Sequence, residues 1–186
     1  MQVIEKLTPV CFYHIYNRGI NGENLFKEKK NYAHFLTRLE KYILPVAEIY
    51  AYCLLKNHFH LLVRIRENHQ LDASKQFAHC FNSYTQGINK LYKRTGGLFQ
   101  TPFKRKEVTT ENYITWLIWY IHANPEKHGL TSDFREWEWS SYYKIISDEK
   151  SMIEKQLTLE MLGNKEEFIA FHLQNKQFYQ ELTLEE

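Results

Sequence analysis

Residues 46–65 constrain the fold most strongly, because two apolar, β-forming runs lie there with very little chain between them. The first run extends from Val46 to Leu55 and the second from Phe59 to Ile65, separated by a short polar step. Runs joined so closely are expected to pair as an antiparallel hairpin. Successive side chains of a strand point to opposite faces, so His58 and His60 should share one face while Phe59 points into the core.

Helical patterns flank this hairpin on both sides. Apolar residues recur at helical spacing over residues 29–44 and again over about 72–94. Short strands are predicted at 11–16 and 103–108. A third helix should begin after Thr109 or Thr110 and end at about Ala123, because Pro125 disfavours helical angles in the residue before it.

The order β-α-β-β-α-β-α predicts an α+β protein. Its first six elements match the ferredoxin-like, or split βαβ, arrangement, an antiparallel sheet with helices packed on one face. We expect a main domain over residues 1–130. Residues 131–186 are expected to form an acidic extension packed on it, with a helical pattern from about Lys165 to Leu182.

Composition indicates a globular intracellular protein. Hydrophobic residues make up 44% and aromatic residues 16% of the 186 residues, which excludes a disordered chain. The absence of a run of eighteen apolar residues and of a signal-peptide pattern predicts no membrane span and a cytoplasmic location. The three cysteines lie far apart, as reduced thiols do rather than a disulfide framework.

The net charge of +2 conceals an asymmetry between the two parts of the chain. Residues 1–130 carry 18 Lys and Arg against 10 Asp and Glu, whereas residues 131–186 carry 6 against 12. A basic main domain suits a polyanionic partner such as DNA. An ordinary solvated surface with an acidic tail explains the same charges equally well.

His58 and His60 form a candidate metal site. Two imidazoles on one face of a strand can hold a divalent ion and leave positions open for substrate oxygens. Asn124 is the candidate third ligand, because it follows Tyr120 by four residues and a continuing helix would place both on one face. The alternatives are two hydrogen-bonded histidines, an asparagine that merely ends a helix before proline, and a tyrosine of the core.

A tyrosine beside a metal could attack a phosphodiester, which is the chemistry of DNA strand cleavage and joining. Tyr120 is one candidate nucleophile, but the chain has thirteen tyrosines, and spacing does not select it over Tyr84, Tyr92 or Tyr113. Basic side chains could contact phosphates and an aromatic ring could stack on bases. These candidate DNA-binding residues are Arg18, Lys93, Arg94, Phe99, Lys104, Arg105 and Lys106. A charged edge strand that resists aggregation also explains residues 104–106.

Taken in order along residues 8–145, these stretches resemble the HUH single-tyrosine transposases, and most closely the REP-associated tyrosine transposases. The HUH motif, His-hydrophobic-His, is His58-Phe59-His60 here. The other matching stretches are residues 12–19, 57–63, 97–100, 103–104, 120–130 and 139–142. The chain departs from the family at residues 99–104, where relatives often have Trp-Gln-Gly-Arg-Phe-Lys, and at Lys56, where they often have proline.

The resemblance implies a ferredoxin-like fold with the histidine pair on a central strand. It implies Mg²⁺ or Mn²⁺ as the cofactor, held by His58, His60 and Asn124, and single-stranded, hairpin-forming DNA as the substrate. It also selects Tyr120 as the nucleophile, which would form a 5′-phosphotyrosine link and release a 3′-hydroxyl. Whether the protein is a monomer or a homodimer stays open.

Two other functions fit the same residues. One is a domesticated relative that binds DNA hairpins without cutting them. The other is a metal-dependent phosphodiester hydrolase in which water is the nucleophile. A covalent adduct between protein and DNA is expected only for the transposase.

Overall fold

In a computed structural model, residues 6–175 are described, and they form a four-stranded antiparallel sheet covered by helices. Two single 3₁₀ turns, Ile20–Gly22 and Phe134–Glu136, supplement the regular elements. The strands are β1 (Phe12–Arg18), β2 (Ala47–Leu54), β3 (His58–Ile65) and β4 (Lys104–Val108). The helices are α1 (Lys29–Tyr42), α2 (Ala73–Tyr92), α3 (Glu111–Lys127), α4 (Tyr142–Ile146), α5 (Lys155–Glu160) and α6 (Lys165–Gln174).

The strand order is β2-β3-β1-β4, so β3 and β1 occupy the centre of the sheet. The predicted hairpin is confirmed: β2 pairs antiparallel with β3, and the Leu55 amide donates to the His58 carbonyl oxygen at 2.9 Å. In the register of the sheet, Tyr16 on β1 lies opposite His60 on one side and Lys104 on the other. These three side chains therefore share one face.

The helices α1 and α2 pack on the opposite face, which confirms the ferredoxin-like arrangement. Phe59 on β3 points toward them, and its ring centroid lies 5.0 Å from that of Phe35 and 5.4 Å from that of Phe81. All three rings are buried. Full burial of each such side chain contributes about 1.5–3 kcal/mol, so this aromatic layer holds β3, and the histidines on its other face, in place.

Helix α3 covers the histidine face. Its N-terminus is capped by Thr110, whose side chain accepts a hydrogen bond from the Tyr113 amide at 3.2 Å. The predicted end at Ala123 is wrong, because the helix continues through Pro125 to Lys127. Every residue from Leu117 to Pro125 is buried, and this packing outweighs the cost of about 3 kcal/mol that proline imposes inside a helix.

The segment after α3 covers the outer edge of β2. The Leu54 amide donates to the Trp139 carbonyl oxygen, and the Ser141 amide donates to the Tyr52 carbonyl oxygen, both at 2.9 Å. Further along, the Glu154 amide donates to the Ile49 carbonyl oxygen at 2.9 Å. These bonds satisfy backbone groups that an uncovered edge strand would leave exposed to other chains. A domain division at residue 130 stays a prediction.

The predicted C-terminal helix is observed as α6, from Lys165 to Gln174, and the rest of its predicted length, to Leu182, lies outside the described residues. Within residues 6–175, no helix is long and apolar enough to cross a membrane. Cys11, Cys53 and Cys80 are free thiols.

Candidate functional site

A cavity of about 450 Å³ opens on the histidine face of the sheet. It lies where the ends of β1 and β3 meet the C-terminal end of α3. It is lined by Tyr16, Asn17, Arg18, Asn57, His58, Phe59, His60, Gln100, Lys104 and His128. Both histidines of the predicted metal site and two of the predicted DNA-binding residues therefore reach one concave surface.

His58 presents a ring nitrogen without a hydrogen-bond partner. Its Nδ1 lies 2.8 Å from the side-chain oxygen of Asn57, which accepts a hydrogen bond. Nδ1 therefore carries the proton, and Nε2 keeps its lone pair. Nε2 is buried and has no hydrogen-bond partner. A buried imidazole nitrogen that keeps its lone pair can act as a metal ligand.

His60 is held by a third histidine, which sequence reasoning missed. His60 Nδ1 lies 2.9 Å from Nε2 of His14 on β1, and both side chains are only 4% exposed. The ring of Tyr16 stacks on His14, with centroids 4.6 Å apart. With Nδ1 engaged, Nε2 is the nitrogen of His60 that is left for a metal ligand bond.

The site keeps its imidazoles neutral. Burial lowers the pKa of His58 to about 3, and electrostatic repulsion from His128, Arg18 and Lys127 acts in the same direction. Burial also lowers the pKa of His60 well below its ordinary range, because a second proton could not be shared with His14, whose own pKa is lowered by burial to about 3. Neutral imidazole is the form that binds a metal ion, so these rings are ready for ligation at neutral pH.

Helix α3 places Tyr120 against the histidines. The Tyr120 ring lies edge-on to His60, with centroids 5.6 Å apart, and the Lys127 ammonium lies 5.2 Å from the centre of the tyrosine ring. Tyr120 is only 2% exposed and is not among the residues that line the cavity. The Tyr120 ring, the His60 ring and the Lys127 ammonium therefore form one cluster between β3 and α3.

Asn124 lies one helical turn after Tyr120 on α3. Its Nδ2 donates to the Tyr120 carbonyl oxygen at 2.7 Å. Its Oδ1 is buried and has no hydrogen-bond partner. The continuation of the helix past Asn124 therefore leaves it on the same helix face as Tyr120.

The residues fit a divalent ion, although the donor set is small. On β3, the orphaned His58 Nε2 and His60 Nε2 would supply two nitrogens. Asn124 Oδ1 on α3 is a second orphaned buried atom, and its carbonyl oxygen is of a type that binds such ions. Within residues 6–175, no group of three or more His, Cys, Asp and Glu side chains is placed to hold a metal. An ion at this site would therefore depend on substrate oxygens for its remaining ligands.

Tyr16 is a second residue beside the histidines that sequence reasoning did not single out. It lines the cavity, is half-buried, and stacks nearly parallel to His60 with centroids 5.9 Å apart. Its position follows from strand alternation, because His14, Tyr16 and Arg18 all face the same side of β1. The register between β1 and β3 was needed to show that this face of β1 meets His60.

The predicted basic residues divide between the two faces of the sheet. Arg18 and Lys104 line the cavity, and Lys106 faces the same side, opposite His14 in the register. Arg105 faces the other side, where its guanidinium lies 3.9 Å from the centre of the Phe103 ring and donates to the Ser74 hydroxyl at 2.8 Å. Only the first group adjoins the histidines.

Three other predicted DNA-binding residues do not line the cavity, and their contact with DNA stays a prediction. Phe99 lies in the core, 5% exposed, and packs on the side of the sheet that α1 and α2 cover, so it offers no free ring face to a base. Arg94 pairs with Glu23 at 2.7 Å. Lys93 forms the left-handed C-cap of α2, with φ of 52°.

Two of the competing tyrosines belong to α2, on the other side of the sheet. The Tyr84 hydroxyl is buried and donates to the Leu25 carbonyl oxygen at 2.7 Å, and the Tyr92 hydroxyl donates to Glu28 at 2.6 Å. Tyr120 and Tyr16 are in ring contact with His60.

The resemblance noted in the sequence is confirmed by comparison with known proteins. A curated Haemophilus influenzae protein named as a REP-associated tyrosine transposase is 26% identical over 111 residues. The match covers 55% of this chain and 62% of that relative, so it spans less than two thirds of the relative's length. No protein-family model matches the chain.

A solved structure shares the fold at low sequence identity. The structure of a REP-associated tyrosine transposase bound to a REP hairpin aligns with a TM-score of 0.64 and 14% identity. The alignment covers 80% of this chain and 86% of the other. A bacterial tRNA(His) guanylyltransferase-like protein in complex with GTP aligns over 71% of this chain with a TM-score of 0.43 and 9% identity, too distant to support an inference about function.

Proposed function

We propose that this protein is a metal-dependent, tyrosine-using DNA endonuclease and strand transferase that resembles the REP-associated tyrosine transposases. The observation that carries the proposal is the meeting of two elements: β3 presents His58 and His60, and α3 packs Tyr120 against them, 5.6 Å from the His60 ring centroid. The similarity of the chain to a protein named as such a transposase supports it.

In this proposal, His58, His60 and Asn124 would hold Mg²⁺ or Mn²⁺. When bound, the ion polarises the scissile phosphate and stabilises negative charge on its oxygens. Tyr120 loses its phenolic proton, and its oxygen attacks phosphorus. The bond from phosphorus to the 3′-oxygen breaks, which leaves a 5′-phosphotyrosine link, and the departing 3′-oxygen takes up a proton to become a 3′-hydroxyl. Attack of a 3′-hydroxyl on that link reverses these steps and joins strands.

The cavity supplies the contacts for single-stranded DNA. Arg18 and Lys104, on the two strands that follow β3 in the sheet, would bind phosphates beside the histidines. The half-buried Tyr16 ring offers a surface on which a base can stack. A hairpin is the proposed form of the substrate, because the fold is shared with a transposase bound to a REP hairpin.

The test is covalent trapping. Wild-type protein, incubated with labelled hairpin-bearing single strands and Mn²⁺ and then denatured, should carry label. Tyr120→Phe should carry none, because it lacks the attacking oxygen, while its DNA affinity stays near that of wild type. Tyr16→Phe is the matched control, since it removes a phenolic oxygen from the other tyrosine beside His60, and it should still form the adduct. An adduct that persists in Tyr120→Phe would contradict the assignment.

One observation favours a second function, a hairpin-binding protein that does not cut. Tyr120 is 2% exposed and Asn124 is 1% exposed, and neither lines the cavity. A non-cleaving binder would give saturable, salt-sensitive binding but neither adduct nor shortened strand. Shortened strands without an adduct would instead identify a hydrolase that uses water.

A further inference from the structure

A buried histidine on β1, His14, has no place in the function proposed above. Its ring contacts those of Tyr16 and His60, with centroids 4.6 Å and 5.1 Å away. It is 4% exposed and therefore has little access to substrate. Its Nε2 lies 2.9 Å from His60 Nδ1. A polar side chain buried this fully and fixed this closely to another can act on that partner's orientation.

The two histidines of β3 are held in parallel ways. His58 Nδ1 donates to the Asn57 side-chain oxygen, which leaves Nε2 with its lone pair. His60 Nδ1 meets His14 Nε2 at almost the same distance. Only one of these two nitrogens can carry the proton of the bond. If it is His60 Nδ1, then His60 Nε2 keeps its lone pair, as His58 Nε2 does. If it is His14 Nε2, then His60 Nε2 carries a proton and cannot bind an ion.

We propose that His14 is a positioning residue, which accepts the Nδ1 proton of His60 and so fixes His60 in the tautomer that offers Nε2 to a divalent cation. His14 thereby does for His60 what Asn57 does for His58, because each accepts the Nδ1 proton of its histidine. This inference rests on the proposed function, because it assumes that the histidine pair binds a metal. Partners of this kind, placed behind a metal ligand, change metal affinity by about 10- to 100-fold.

The register explains why His14 can do this and why another residue would not. His14 lies opposite Leu62, so it is the diagonal neighbour of His60 across the β1–β3 pair, whereas Tyr16 lies directly opposite His60. Tyr16 stacks on both imidazole rings and limits their rotation. His14 Nε2 is therefore held where the Nδ1–H bond of His60 can point at it, as a hydrogen bond requires.

The first test measures Mn²⁺ binding to the DNA-free protein by electron paramagnetic resonance. His14→Phe keeps an aromatic ring but removes the acceptor, and should weaken Mn²⁺ binding about 10- to 100-fold. His14→Gln can present its amide oxygen to His60 and should recover part of that affinity. His79→Phe, at an exposed position on α2, controls for ions bound by surface histidines. Thermal melting of each variant distinguishes weaker metal binding in a folded protein from a loss of folding.

The second test needs no variant, since long-range ¹H–¹⁵N correlation spectra of the imidazoles report which nitrogen carries the proton. We expect His60 protonated at Nδ1 in the metal-free wild type. A proton on His60 Nε2, or wild-type Mn²⁺ affinity in His14→Phe, would overturn the inference while leaving the proposed function intact. Failure of wild type to bind Mn²⁺ at all would overturn both. A Tyr120-independent adduct would overturn the proposed nucleophile alone.

Discussion

Acid should destabilise the protein through a buried chain of side chains that joins α6 to α3. His172 Nδ1 faces the Phe168 carbonyl oxygen at 2.8 Å, and that oxygen can only accept. His172 Nε2 therefore accepts from His122 Nδ1 at 2.9 Å, and His122 Nε2 accepts from the Ser141 hydroxyl at 2.7 Å. The chain is satisfied with both imidazoles neutral, and all its side chains are fully buried.

The size of the effect follows from the pKa of His172. Burial lowers it from 6.5 to about 3 in the folded protein, and burial also lowers the pKa of His122 well below 6.5. Because the folded-state pKa is depressed, the stability is complete above pH 6.5 and is lost as the pH falls from 6.5 toward 3. Between pH 7.5 and pH 5, His172 alone should reduce the free energy of unfolding by about 2 kcal/mol.

Urea unfolding at pH 7.5 and pH 5, with a chelator present, measures this loss. In His172→Phe, the loss between the two pH values should be about 2 kcal/mol smaller than in wild type, whatever the variant's stability at pH 7.5. The exposed His79→Phe is the control and should match wild type. If His172→Phe and wild type lose the same free energy, the reasoning is refuted.

Three further predictions concern the proposed metal and DNA contacts. His58→Ala and His60→Ala should each lower the cleavage rate by about 100-fold or more, since a metal ion contributes several kcal/mol, while filter binding finds DNA affinity nearly unchanged. Asn124→Ala should raise the Mn²⁺ concentration needed for half-maximal cleavage, and Asn124→Asp should raise it less, because aspartate retains an oxygen ligand. Mn²⁺ titration curves identical to that of wild type would show that Asn124 does not bind the metal. Lys104→Ala should lower the slope of log K against log salt by about 1 for hairpin DNA, whereas Arg105→Ala, on the other face, should leave the slope as it is.

The parts of the fold that depend on neighbouring residues could be predicted from the sequence. The hairpin of β2 and β3 follows from two apolar runs with a short step between them, and the shared face of His58 and His60 follows from strand alternation. The cap at Thr110 is equally local. Each of these features is fixed by a few consecutive residues, so the local sequence is enough to predict it.

The rest required contacts between distant parts of the chain. His14 and His60 are 46 residues apart, and their hydrogen bond depends on the register of β1 against β3. Phe99 has an aromatic ring of the kind that stacks on bases, but the packing of α1 and α2 on the sheet makes it part of the core. Pro125 carries a local signal to end α3 at Ala123, and burial of the helix overrides it.

The most direct test of the proposed function is to locate the covalent link between protein and DNA. Wild-type protein is incubated with a hairpin-bearing single strand and Mn²⁺, digested with nuclease and protease, and analysed by mass spectrometry. The proposal predicts a single nucleotide joined through its 5′-phosphate to the α3 peptide, with the fragment ions placing it on Tyr120. A nucleotide on Tyr16 or any other residue, or cleaved strands with no modified peptide, would contradict it.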